Sequence, residues 1–368
     1  MKSISIDTVV EEALAQDAPV AIGVSGGKDS QAATIAALAH LDAIGHAGPR
    51  ILVHADLGMV EWSASLPVCE EMAGHFGLEL VVVARKAGGL MERWESRWAS
   101  SRARYAALET VTLVPCWSTP SMRFCTSELK THVIGAELAR RFPGQRVVNI
   151  TGVRRDESAQ RARQPISDEK NGAINWRPIL DWSTADVFAA IDASGLTPHE
   201  AYRGFGMTRV SCRFCIMSSM PDLVAAAAQA ESHDLYRRMV RLEAESSFAF
   251  QGSRWLGDVA PHLLDAGLAD ALGVGKAKAA ARKMIEARIP KGLLYTDGWP
   301  VRLPTPEEAQ VLAEVRHGLE NLFSFGSLYL DAEGVLARYA GLMEMRAGKE
   351  AEKAAKAARK TARALKAA

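Results

Sequence analysis

Short, nearly unbroken apolar runs alternate with longer stretches of helical spacing along the first part of the chain. Residues 18–25, 50–58 and 78–85 (APVAIGVS, RILVHADLG and LELVVVAR) read as strands, apolar enough for a parallel sheet buried on both faces. Residues 1–15, 29–43, 63–76, 88–109 and 126–141 read as helices. RVVNITGVRR, residues 146–155, gives a fourth strand, followed by a loop or short helix over 156–163. A further strand and helix are expected in NWRPILDWSTADVFAAIDASG, where Ser183 and Asp186 form a capping pattern and Gly195 a stop. Strands alternating with helices predict an α/β fold, a doubly wound and mostly parallel sheet, over residues 1–220.

Beyond residue 220 the strand signal fades. Thr305, Pro306 and Glu308 spell a capping box with proline at the first helical position. Residues 221–345 are therefore expected to form a mostly helical C-terminal appendage. Residues 346–368 hold almost no large apolar side chain and are expected to be a basic tail, either a solvated helix or disordered.

Composition narrows the class. An apolar fraction of 48% with 24% charged residues is that of a soluble globular protein. The first residues carry acids and lack the apolar core of a signal peptide, and no run approaches a membrane span, so the cytoplasm is the expected location and no membrane partner is expected. A net charge of +1 is uninformative about nucleic acid, but its distribution is uneven. The last 24 residues carry eight Lys/Arg against two Glu. Oligomeric state is left open.

Between the first strand and the helix after it stands Ser25-Gly26-Gly27-Lys28-Asp29-Ser30. A glycine-rich turn at a helix start offers converging backbone N–H groups and the positive end of the helix dipole, which together bind phosphate. Lys28 adds a point charge, Ser25 and Ser30 add hydroxyls, and Asp29 suits a cap or a Mg²⁺ contact. The spacing is not that of a Walker A loop, because Lys28 is followed by Asp29 and only three residues separate Gly23 from Gly27. It is not the dinucleotide fingerprint either, since the third glycine is missing. Asp56, in HADLG at the carboxyl end of the second strand, is a candidate metal or ribose contact, or an ordinary turn residue.

SGGKDS resembles the PP-loop of the N-type ATP pyrophosphatases. That resemblance implies an adenine nucleotide alpha hydrolase-like fold, ATP with Mg²⁺ gripped at Ser25–Ser30, and cleavage between the α and β phosphates. Lys28, Asp29 and Ser30 would then be catalytic.

TGVRRDESAQRAR, residues 151–163, places paired arginines at a strand's carboxyl end, where planar guanidinium forks suit phosphate or sulfate. Followed by RPILDWSTADVFAAI and SCRFC, it is similar to the phosphoadenylyl-sulfate (PAPS) reductase family in its widest sense, over roughly residues 15–220. The resemblance implies that Gly152, Arg154, Arg155 and Arg161 meet the anionic end of a nucleotide or substrate. The intact loop departs from the reductases proper, and no cysteine lies beyond Cys215. The complete loop looks more like the ATP-consuming branch, the sulfurylase small subunits and the DNA-phosphorothioation ATP pyrophosphatases, and the latter also resemble this chain in having a cysteine quartet. That branch implies sulfur transfer, a sulfur-donor protein and a nucleic-acid substrate, with PAPS or adenylyl-sulfate reduction as the alternative. A nucleotide-sensing, nucleic-acid-binding module without turnover is a further alternative.

Cys116 and Cys125 are separated by eight residues, Cys212 and Cys215 by two. Four thiolates bind Zn²⁺ or an iron–sulfur cluster, and spacing does not decide between them. The family resemblance implies a 4Fe–4S cluster. A reversible dithiol at Cys212 and Cys215, or metal-free buried cysteines, are the other readings, and Cys69 is expected in the core. Residues 85–104 hold six Lys/Arg against two Glu, with Trp94 and Trp98 on one helix face. Such a face suits a stacked base, or else the tryptophans are core.

Overall fold

The computed structural model describes residues 2–170 and 172–367. The chain forms two compact units. The first comprises Met1–Arg93, Ser118–Met239 and Ser253–Leu264; the second comprises Trp94–Trp117, Val240–Gly252 and Asp265–Ala368.

The first unit is built on a six-stranded sheet of order β3-β2-β1-β4-β6-β5. Its strands are β1 (Val20–Val24), β2 (Arg50–Asp56), β3 (Glu79–Ala84), β4 (Val147–Ile150), β5 (Ser167–Lys170) and β6 (Ala173–Trp176). All pairs are parallel except β5 with β6. The sheet is therefore α/β and mostly parallel, as the periodicity predicts. β4 ends at Ile150, so Thr151–Arg154 leaves the sheet as a loop. β5 has no apolar alternation, since its residues are Ser-Asp-Glu-Lys, and it survives as a short polar edge strand.

The continuous apolar run of β1 is explained by burial on both faces. Val20, Ile22 and Val24 pack into a large core with α1 (Thr8–Ala15), α2 (Lys28–Ala43), α3 (Ser65–Phe76) and the helix Thr184–Ser194. Ala21 points the other way, to a smaller cluster with Ile51, Val53, Val81 and Leu138. Cys69 is wholly buried in the large core. α2 is Ala-rich because nearly all of its circumference is buried. Ser183 and Asp186 form the expected reciprocal cap, and Gly195 ends that helix in the left-handed conformation.

The helix expected over 126–141 starts at Phe124 and contains a π turn, Ser127–Thr131, before His132–Arg141. Such turns commonly mark functional sites.

The second unit contains most of α4 (Leu90–Ala106) and the helices Ala266–Glu286, Pro306–Phe323 and Ala332–Ala367. Thr305 and Glu308 make the capping box in full. The last helix carries the basic tail through Ala367, with residues 347–359 exposed. Arg316 is fully buried, its guanidinium donating to the carbonyls of Tyr105, Ala106, Leu328 and Tyr329. Trp94 and Trp98 are core, packed edge-on against Trp117, Phe248, Phe250 and Phe325, so neither is placed to stack on a base. Among the described residues no helix is long and apolar enough to cross a membrane.

Candidate functional site

β1 runs directly into the loop Ser25-Gly26-Gly27, and α2 begins at Lys28. Gly26 adopts φ +70°, and a Cβ there would lie 2.8 Å from the Ser65 carbonyl oxygen, so both conformation and space demand glycine. Gly27 is the N-cap and supplies no side-chain acceptor, so the first N–H groups of α2 are left for other partners. Ser30 Oγ donates to Gly27 O at 2.7 Å and accepts from Ser25 N at 3.3 Å, bracing the loop from within.

Behind this loop lies a buried charge network. Lys28, 5% exposed, places Nζ 3.0 Å from Asp29 Oδ2. Arg154, 3% exposed, donates Nε to Asp29 Oδ1 at 2.6 Å and Nη1 to Asp156 at 2.6 and 2.7 Å. Burial opposes the charge on Arg154, but Asp29 and Asp156 outweigh it and hold the guanidinium above its ordinary pKa. Gly152 permits the approach, because a Cβ there would lie 2.3 Å from the Asp29 carbonyl oxygen.

These groups open onto a cavity of about 450 Å³ at the carboxyl edge of the sheet. Ser25, Gly27, Lys28, Asp29, Ser30, Gly152, Arg154 and Arg161 all line it. Five cations face it (Lys28, Lys130, Arg154, Arg161 and Arg209) against four carboxylates (Asp29, Glu61, Asp156 and Glu157). A larger groove, about 870 Å³, shares Gly23, Ser25, Lys130 and Thr151 with the cavity and runs between the sheet and the helix His132–Arg141.

Three sequence candidates are placed differently: Gly26 packs against the Ser65 backbone and is not among the residues that line the cavity. Arg155 turns its guanidinium to Asp181 at 2.6 Å and to the carbonyls of Ala162 and Gln164. Asp56 accepts from Gly58 N at 2.7 Å, closing its own turn. Neither Arg155 nor Asp56 is among the residues that line the cavity.

Three residues escaped the sequence reading. His54 is buried, with Nδ1 3.1 Å from Val24 O and Nε2 3.1 Å from Glu61 Oε2. Both ring nitrogens face acceptors, which requires the imidazolium. Burial would lower its pKa, but Cys69 and Glu61 reverse that and push it up to about 10. Glu61 is thus a cavity carboxylate backed by a buried cation. Tyr202 lines the cavity too, and its phenol oxygen accepts from Lys28 N. No periodic signal announced any of the three.

The four cysteines divide between the units. Cys116 belongs to the second, where its buried thiol lies 3.8 Å from Ser246 Oγ and burial pushes its pKa up to about 12. Cys125, Cys212 and Cys215 belong to the first. Desolvation first, then Cys215 and Cys125, raise the Cys212 thiol, while Lys130 pulls it down. Among the described residues no three His, Cys, Asp or Glu side chains are gathered as a metal-holding set.

The sequence model of the phosphoadenosine phosphosulfate reductase domain matches residues 19–218, more than half of the chain. The chain belongs to this family. The match spans the sheet, the SGGKDS loop, Arg154 and the Cys212–Cys215 pair. This PAPS reductase-family chain is similar to an uncharacterized 37.8 kDa protein of Escherichia phage 186, at 27% identity over 243 residues, covering 56% of this chain and 70% of the phage protein. The phosphoadenosine 5′-phosphosulfate reductase of Vibrio parahaemolyticus is 35% identical over 66 residues, 17% of this chain and only 26% of the reductase. Among solved structures, the PAPS reductase of Candida auris in its phosphate complex is similar at 14% identity and a TM-score of 0.36, covering 57% of this chain and 98% of that one.

Proposed function

We propose that this PAPS reductase-family protein binds ATP with Mg²⁺ at Ser25–Ser30 and releases pyrophosphate while activating a substrate for sulfur transfer. The observation that carries the reading is the glycine-rich start of α2, which lacks a side-chain cap and lines a cavity that five cationic side chains face against four carboxylates. The neighbouring groove has room for the nucleoside.

In this reading a substrate oxygen attacks the α-phosphorus. The bond to the bridging α–β oxygen breaks, and its electron pair leaves with pyrophosphate. Charge grows on that leaving group, where Lys28, held by Asp29, and the loop backbone would stabilise it as it develops. Arg154 fixes Asp29, and Asp29 in turn holds the Lys28 ammonium. Arg161, Lys130 and Arg209 face the remaining anionic groups of nucleotide or substrate. Nucleic acid as the acceptor, and a sulfur-donor protein, extend the proposal by the resemblance to the phosphorothioation branch.

Cys125, Cys212 and Cys215 have the donor chemistry for a 4Fe–4S cluster or Zn²⁺, with Cys116 as the fourth candidate from sequence. The described side chains do not form a gathered donor set for either group.

A second reading rests on the neighbouring thiols Cys212 and Cys215. Two thiols reducing PAPS or adenylyl-sulfate would release sulfite and the nucleotide and leave a disulfide. Product analysis separates the readings. AMP-containing product and pyrophosphate from ATP support the first, sulfite from PAPS with a thiol donor supports the second, and nucleotide binding with neither product overturns both in favour of a sensing module.

A further inference from the structure

Tyr202 sits on the short turn Glu200–Arg203, ahead of the segment that carries Cys212 and Cys215. Its phenol oxygen accepts two backbone N–H groups, from Lys28 at 3.0 Å and from Val210 at 3.3 Å. The Lys28 N–H opens α2 and is one of the donors that a phosphate on the loop would take. Val210 lies two residues before Cys212. One oxygen therefore ties the phosphate loop to the cysteine-bearing segment.

The bonding also fixes where the phenol proton points. With both N–H groups directed at its lone pairs, the hydroxyl must donate elsewhere, and Tyr202 lines the cavity. Burial raises the phenol pKa, so the proton is retained. The ring lies 5.1 Å beneath Lys28 Nζ, and a Cβ at Gly27 would sit 3.4 Å from the phenol oxygen, so the loop and the ring are in close register.

We propose that Tyr202 is a positioning residue that couples occupancy of the phosphate loop to order in the Val210–Cys215 segment. A phosphate takes over the Lys28 N–H and receives the phenol O–H, while the Val210 N–H stays on the phenol oxygen. A neutral contact is exchanged for a charge-assisted one, which is shorter and stronger. The segment is then held more tightly when the loop is filled, and by linkage a tightened segment favours the anion equally. The proposal rests on the reading of Ser25–Ser30 as a phosphate site.

The test uses the full chain, with inorganic pyrophosphate as the probe, calorimetry for binding and amide hydrogen exchange over residues 204–217. In the wild type, saturating pyrophosphate is expected to slow exchange around Val210 by about fivefold or more, the low end of typical coupling. Tyr202→Phe is expected to bind pyrophosphate more weakly yet show no such slowing at saturation. Val210→Pro, which deletes the second donor and keeps the phenol, gives the same loss and serves if the first variant does not fold. Binding without slowing in the wild type, or equal slowing in both variants, overturns the coupling and leaves the phosphate site standing. Failure of the wild type to bind pyrophosphate overturns both.

Discussion

Arg154 Nε lies 2.6 Å from Asp29 Oδ1, joining the loop that leaves β4 to the first turn of α2. The two elements are 125 residues apart in sequence, and the pair is sealed from solvent on the arginine side. Removing one member of a buried pair strands the other charge. Arg154→Ala is expected to lower unfolding free energy by about 3 kcal/mol in urea titrations. Asp156→Asn, at a half-exposed carboxylate, is expected to lose less than about 1 kcal/mol.

Gly152 and Gly135 make a contrasting pair. A methyl at Gly152 meets the Asp29 backbone at 2.3 Å and forces the phosphate loop to shift, so Gly152→Ala should weaken both folding and nucleotide binding. Gly135, inside the helix His132–Arg141, has nothing within 4 Å of such a methyl. Gly135→Ala should raise stability by roughly 0.5–1 kcal/mol, read as a higher urea midpoint.

His54 gives the protein a pH dependence with a definite sign. Its folded-state pKa is about 10, above the ordinary 6.5. Below pH 6.5 folded and unfolded chains both carry the proton and the stabilisation is complete. As pH rises from there to about 10 the unfolded chain is favoured progressively, at a cost of at most about 5 kcal/mol. His54→Gln should flatten the fall in stability across that window, measured by urea unfolding at a series of pH values.

How much of this was legible in the sequence depended on whether the signal was local. The glycine-rich loop was legible because glycines, hydroxyls and lysine stood where a continuous apolar run gives way to helical spacing. β5 was not, since an exposed edge strand of Ser-Asp-Glu-Lys has no apolar face to show. Spacing put Trp94 and Trp98 on one helix face but could not say what covered it; the structure supplies Phe250 and Phe248. Tyr202 reaches Lys28 across 174 residues, a relationship that no local pattern encodes. Cysteine spacing likewise does not tell which compact unit a thiol packs into, and Cys116 packs beside Ser246 in the second.

If the tryptophans are core, their loss acts on folding. Trp98→Ala is expected to lower stability by about 3–5 kcal/mol, seen in thermal and urea unfolding, and to leave nucleotide affinity per folded molecule unchanged.

The central claim is that the turn at Ser25–Ser30 holds the polyphosphate of a nucleotide. Equilibrium titration of ATP with Mg²⁺ into the wild type and Lys28→Ala tests it most directly. The account predicts saturable one-site binding by the wild type and at least about tenfold weaker binding by the variant, or 1.4 kcal/mol. Equal affinities in the two folded proteins would contradict it.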